Sequence, residues 1–89
     1  MKVVITIIGK DRVGIVAMAS NVLAENQVNI LDINQNIVDG FFNMVMIAET
    51  GESKVSIKEL QAIFAAKGKE LNLEIKVQHE DIFQSMHRI

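Results

Sequence analysis

The residues of this chain that could do chemistry fall in two places. The first is Gly9-Lys10-Asp11-Arg12-Val13-Gly14, where two glycines, an acid and two bases follow an apolar run. Its spacing matches neither the P-loop pattern nor the dinucleotide fingerprint, so it is not read as a phosphate cradle. Structurally it reads as a strand-to-helix turn with Asp11 capping the helix that follows. The second is His79, Glu80, Asp81 and His87, whose types suit metal binding or acid-base work. Their spacing is no recognised ligand pattern, and no metal site is expected there. Cysteine is absent, which removes thiolate nucleophiles, zinc-thiolate sites and disulfides. With no nucleophile beside a base and no paired carboxylates, no catalytic residues and no cofactor are expected, and the chain is read as a non-enzyme. Met44 and Met46 read as fillers of a core or an interface, and Phe41, Phe42, Phe64 and Phe83 as packing residues.

Composition narrows the partners. Nine Lys and Arg stand against eleven Asp and Glu, a net charge of −2, with no Trp or Tyr. No basic stripe exists to displace counterions from phosphates and no indole or phenol is there to stack on bases, so nucleic acid is not an expected partner. A Cys-free chain does not depend on an oxidising compartment, and Val3 to Ile8 ends in Gly9-Lys10-Asp11-Arg12 without a small-residue cleavage site. A cytoplasmic location is expected. No apolar run approaches the roughly 18 residues needed to span a bilayer, so no membrane partner is expected. At 89 residues the chain is one domain with a small core, burying roughly 60–70% of its unfolded surface.

The elements that must position these residues follow from periodicity. Val3 to Ile8 is short, β-branched and stopped by Gly9, which predicts a central strand buried on both faces. Ile15, Met18, Ala19, Val22 and Leu23 form one stripe of a helix over Gly14 to Asn26. Val28 to Val38 is extended, with Leu31, Ile33 and Ile37 on one side and Asp32, Asn34 and Asn36 on the other, an edge strand. That polar side, Gln35 included, reads as a partner-strand contact. Asp39-Gly40 signals a type I′ hairpin turn, and Phe41 to Thr50 is a second central strand. Ser56-Ile57-Lys58-Glu59 has capping-box spacing. The helix that follows carries Ile57, Leu60, Ile63 and Phe64 on one face and is expected to end on a left-handed Gly68. Leu71, Leu73, Ile75 and Val77 alternate with polar residues as a last strand, and Ile82, Phe83, Met86 and Ile89 have helical spacing.

The expected class is α+β: a ferredoxin-like βαββαβ sandwich over residues 1–78 with a short C-terminal helical tail over 79–89. Right-handed crossovers put both helices on one face of a four-stranded antiparallel sheet and make strands one and three the central pair. The outer faces of those strands would then expose Val, Ile, Phe or Met, a patch of the kind that marks an interface. The amphipathic tail, folded on its own domain or its partner's, or a second stacked sheet would cover it. Either arrangement favours a homodimer.

Ile7-Ile8-Gly9-Lys10-Asp11-Arg12-Val13-Gly14-Ile15-Val16, then a helix, then Val28-Asn29-Ile30, resembles the ACT domain, a family named for aspartate kinase, chorismate mutase and prephenate dehydrogenase, in which it senses amino acids. The resemblance covers about residues 3–78. It is to the small stand-alone bacterial ACT proteins, related in style to the regulator of glycine cleavage. It implies a regulatory module that binds a small molecule, an amino acid, across a dimer interface, at the loop after the first strand and the start of the second. By position the ligand-binding candidates are Asp11, Arg12, Val13, Gly14, Ile15 and Asn29. Open amides in the loop and first helical turn suit a carboxylate, Gly14 permits close backbone approach, and the Asn29 amide can donate and accept. Two positions depart from the family pattern: Val13 stands where Pro is frequent, and Gln27 where Gly is frequent. Asp11, where a neutral Asn occurs in relatives, would repel a carboxylate and pair with an ammonium. The competing reading is a structural interaction module that docks on another protein.

Overall fold

The computed structural model describes residues 1–51 and 53–81. The elements run β1 (Lys2–Lys10), α1 (Ile15–Glu25), β2 (Asn29–Val38), β3 (Phe41–Glu49), α2 (Ile57–Leu71) and β4 (Leu73–His79). The sheet order is β2-β3-β1-β4, antiparallel throughout. This is the ferredoxin-like βαββαβ fold that the periodicity predicts. Ile82, Phe83, Met86, Ile89 and His87 lie outside the described residues.

The core sits between the helices and one sheet face. Val3, Ile5 and Ile7 of β1 and Phe42, Met44, Met46 and Ala48 of β3 are buried under Ile15, Ala19, Val22 and Leu23 of α1 and Leu60 and Phe64 of α2. Each of these strand residues is two places from the next, so the pleat sends them all to one face. The edge strand β2 is largely uncovered, with Ile33 40% and Ile37 55% exposed. A bulge between Ile30 and Asp32 breaks its register with β3. The extra residue shifts the alternation, so that Ile30 packs toward the core while Asp32 pairs with Ile47 on the outer face. At the hairpin, Asp39 (φ 52°) and Gly40 (φ 78°) both take the positive φ that the turn signal requires.

Four local expectations are corrected. Asp11 does not cap α1: the N-cap is Gly14 at φ 96°, and no side chain caps the helix. A left-handed turn there delays the helix beyond reach of the Asp11 carboxylate. Gly9 does not stop β1, which continues to Lys10; a Cβ on Gly9 would lie 2.5 Å from Leu73 Cδ2, so the missing side chain lets β4 close onto β1. Gly68 is not the left-handed end of α2. The helix runs on to Leu71 and ends on Asn72 (φ 57°), whose N–H donates to the Gly68 carbonyl. Consequently Leu71 closes α2 and β4 begins at Leu73. The Ser56 capping box forms as its spacing predicts, with Ser56 Oγ accepting from Glu59 N–H at 3.1 Å and Glu59 Oε1 from Ser56 N–H at 3.2 Å.

Candidate functional site

The β1–α1 loop lies at the hairpin end of the sheet. Lys10 pairs with Phe41, and the Asp11 N–H donates to the Gly40 carbonyl at 2.9 Å, tying the loop to the β2–β3 turn. Asp11, Arg12 and Gly14 are exposed, Val13 is 100% exposed, and Ile15 is 2% exposed. Ile15 is therefore an anchor: its side chain belongs to the core, and only its backbone is available to a ligand. Gly14 has no side chain and the first turn holds no acidic residue, so among the described residues no side chain caps the first-turn amides of Ile15, Val16 and Ala17. Those amides point out of the helix at its positive end, a setting that favours an anion.

Asn29 is exposed but sits at the far end of β2, paired with Glu49. Val38, at the loop end of the same strand, is about 30 Å away at 3.3 Å per residue. One chain therefore does not bring Asn29 to the loop. The loop is bonded to the β2–β3 turn, and β2 is an edge strand of the sheet among the described residues.

The end of α1 shows why the chain turns where it does. Val28 N–H donates to the Leu23 carbonyl at 2.8 Å and Gln27 N–H to that of Ala24 at 3.0 Å, the paired bonds of a Schellman ending. Gln27 holds φ 59°, the conformation for which Gly is the usual residue. Beside Asn29, Glu49 receives the chain's α-ammonium at 2.5 Å. That hydrogen bond, then one from the Gly51 N–H, hold the Glu49 carboxyl below its ordinary range.

Two clefts bring together residues that the sequence pattern left apart. One, of about 380 Å³, runs from Gly14 along Met18 and Val22 to Glu25 and to Lys67 of α2. The other, of about 450 Å³, lies on the outer sheet face between Asp32, Asn34, Asn36 and Asn43 over Val45 and Ile47. That Lys67 lines the same cleft as Gly14 was unreadable in the sequence, because only the placement of α2 relative to α1 joins them. The alternation of Asn34 and Asn36 was the available signal for the second cleft. His79 Nδ1 accepts the Asp81 N–H at 3.1 Å. Asp81 Oδ2 lies 3.7 Å from that same atom.

Fold and loop together define a small ferredoxin-like module, with the start of α1 at the hairpin end of the sheet. The ACT domain family model matches residues 2–78. A UPF0237 protein of Neisseria meningitidis serogroup B is 52% identical over 86 residues, covering 97% of this chain and 96% of that protein. The UPF0237 protein of Methanocaldococcus jannaschii is 50% identical over 88 residues, covering 99% and 98%. The solved ACT domain protein from Streptococcus pneumoniae superposes with a TM-score of 0.82 at 39% identity, covering 94% of each chain. This chain belongs to the ACT domain family. ACT domains are regulatory ligand-binding modules. No helix among the described residues is long and apolar enough to cross a membrane.

Proposed function

We propose that this chain acts in the cytoplasm as a homodimeric, non-catalytic sensor of an amino acid, held between the Asp11–Ile15 loop of one protomer and Asn29 of its partner. The observation that carries the reading is the placement of these residues at opposite ends of β2. If two β2 edges pair antiparallel about a two-fold axis, the Asn29 end of each strand lies beside the partner's hairpin end and its loop. An isologous contact of this kind makes two equivalent sites. The exposed Leu31, Ile33, Ile37 and Val38 favour it, since an open apolar strand edge templates pairing. In each site the Ile15, Val16 and Ala17 amides receive the ligand carboxylate, the Asp11 carboxylate pairs with its ammonium, and the partner's Asn29 bonds either group. Arg12 and Val13 border the opening.

Thermal-shift measurements with the twenty amino acids test this. At a ligand concentration ten times Kd, stabilisation is about 1.4 kcal/mol, or roughly 6–11 °C for a domain of this size. The shift is expected to vanish in Asn29→Ala while the fold persists. No stabilisation by any amino acid at millimolar concentration would overturn the ligand, and a monomer in sedimentation at micromolar concentration would overturn the geometry.

One observation favours a second reading, in which the dimer docks on another protein. Val13 and Phe41, 100% and 55% exposed, stand together at the hairpin end beside Val38. Capture of a partner that is lost in Val13→Ser, Phe41→Ser, with amino acids without effect, would select that reading.

A further inference from the structure

The cleft between the two helices holds charge that the fold leaves unused. Of the described lysines, Lys2, Lys10, Lys54, Lys58, Lys69 and Lys76 are exposed, and Lys67 alone is half-buried. It lines the cleft of about 380 Å³ that follows Ala17, Met18, Asn21, Val22 and Glu25 along α1. Those five positions are three, four or one apart, so they make one stripe of the helix. Met18 and Val22 form its apolar floor, half-buried and buried, while Asn21 and Glu25 are exposed.

Among the described residues no ion pair or hydrogen bond engages the Lys67 ammonium, the Glu25 carboxylate or the Asn21 amide. Glu25 also borders a smaller cleft of about 250 Å³ with Lys54 and Glu59, and it makes no ion pair with Lys54 either. An ammonium drawn partly out of water loses hydration that an anion can replace. Lys67 and Glu25 line one cleft without meeting, so their charges stand further apart than those of an ion pair. The complement is a molecule with a carboxylate and an ammonium held apart by an apolar body. A free α-amino acid carries both groups on one carbon. A dipeptide separates them by up to about 7 Å, at roughly 3.3–3.6 Å per residue, and the cleft falls within the roughly 300–1,000 Å³ of small-ligand sites.

We propose that this cleft binds a dipeptide-sized zwitterion. Lys67 takes its carboxylate, Glu25 its ammonium and Asn21 its peptide group, with an apolar side chain against Met18 and Val22. The site lies within one chain and shares only Gly14 with the β1–α1 loop, so it forms with or without the dimer.

A titration of the full, isotope-labelled chain with alanyl-leucine at millimolar concentration, followed by amide chemical shifts, tests this. Shifts are expected at Ala17, Met18, Asn21, Glu25 and Lys67. Lys67→Met keeps the aliphatic stem and removes the charge, and should weaken binding about tenfold; Lys67→Arg should restore it. Blocking the peptide's carboxylate as an amide should act on the parent as Lys67→Met does. Glu25→Gln, at an exposed position, should weaken binding about two- to fivefold, and an N-acetylated peptide should not distinguish it from the parent. Asn29→Ala, which removes the amino-acid response proposed above, should leave these shifts unchanged. Absence of shifts, or parental affinity in Lys67→Met, would overturn the site and leave Lys67 as a stem packed on the helices. Shifts confined to Asp11–Ile15 would place the peptide on the loop and overturn it equally.

Discussion

Gly68→Ala is the sharpest test of how α2 meets the sheet. An alanine inside a helix ordinarily stabilises it by about 1 kcal/mol over glycine. At Gly68 the added Cβ would stand 2.6 Å from the Leu73 carbonyl oxygen, below the 3.0 Å that Cβ atoms keep from their neighbours. The obstacle is backbone, fixed by the turn at Asn72 and by the β1–β4 ladder, so the helix must shift as a body. Overpacking of this kind costs about 1–3 kcal/mol, and an unyielding neighbour puts the cost near the upper end. The net expectation is a loss of about 1–2 kcal/mol, with the melting temperature falling roughly 4–8 °C per kcal/mol. Urea unfolding followed by far-UV circular dichroism would show a lower midpoint at unchanged slope. Lys69→Ala, exposed and one residue on, is the control and should stay within about 0.5 kcal/mol. If Gly68→Ala proved more stable than the parent, the close approach of α2 to β4 would be refuted.

The remaining expectations concern single sites. Gly9→Ala meets the movable end of Leu73, at Cδ2, so its midpoint should fall by less than that of Gly68→Ala. Gln27→Gly relieves a left-handed non-glycine conformation worth about 1–2 kcal/mol and adds unfolded-chain entropy worth about 0.5–1 kcal/mol. Calorimetry should show a gain of about 0.5–1 kcal/mol; a loss would contradict the Schellman geometry. Ser56→Ala removes the acceptor for the Glu59 N–H and should cost about 1 kcal/mol in urea unfolding. The Glu49 carboxyl is held below its ordinary value of 4.5, first by its hydrogen bond to the α-ammonium. A depressed acid contributes stability above that unfolded value and loses it as pH falls through the folded one. The Glu49→Gln variant should therefore show a flatter decline of stability below about pH 4.5; identical acid limbs would refute the pairing.

Much of this protein is legible in its sequence, because local periodicity and local capping chemistry carry the information. The alternation of Phe42, Met44, Met46 and Ala48, the stripe of Ile15, Ala19, Val22 and Leu23, the Asp39-Gly40 turn and the Ser56 box each act within a few residues. Each appears as its spacing requires. Glycine is where local reading failed, since it marks either a turn or a close approach, and the latter depends on a residue distant in sequence. Gly9 and Gly68 both proved to be places where Leu73 comes close, and Gly14 took the capping position expected of Asp11. The candidate site divides in the same way. Its residue types stand in the sequence, but their separation along the sheet, the first turn of α1 without a side-chain cap and the cleft that Lys67 shares with Gly14 were decided by tertiary structure alone. Chain spacing sets which face a residue takes; only the packing of elements against one another sets what stands beside it.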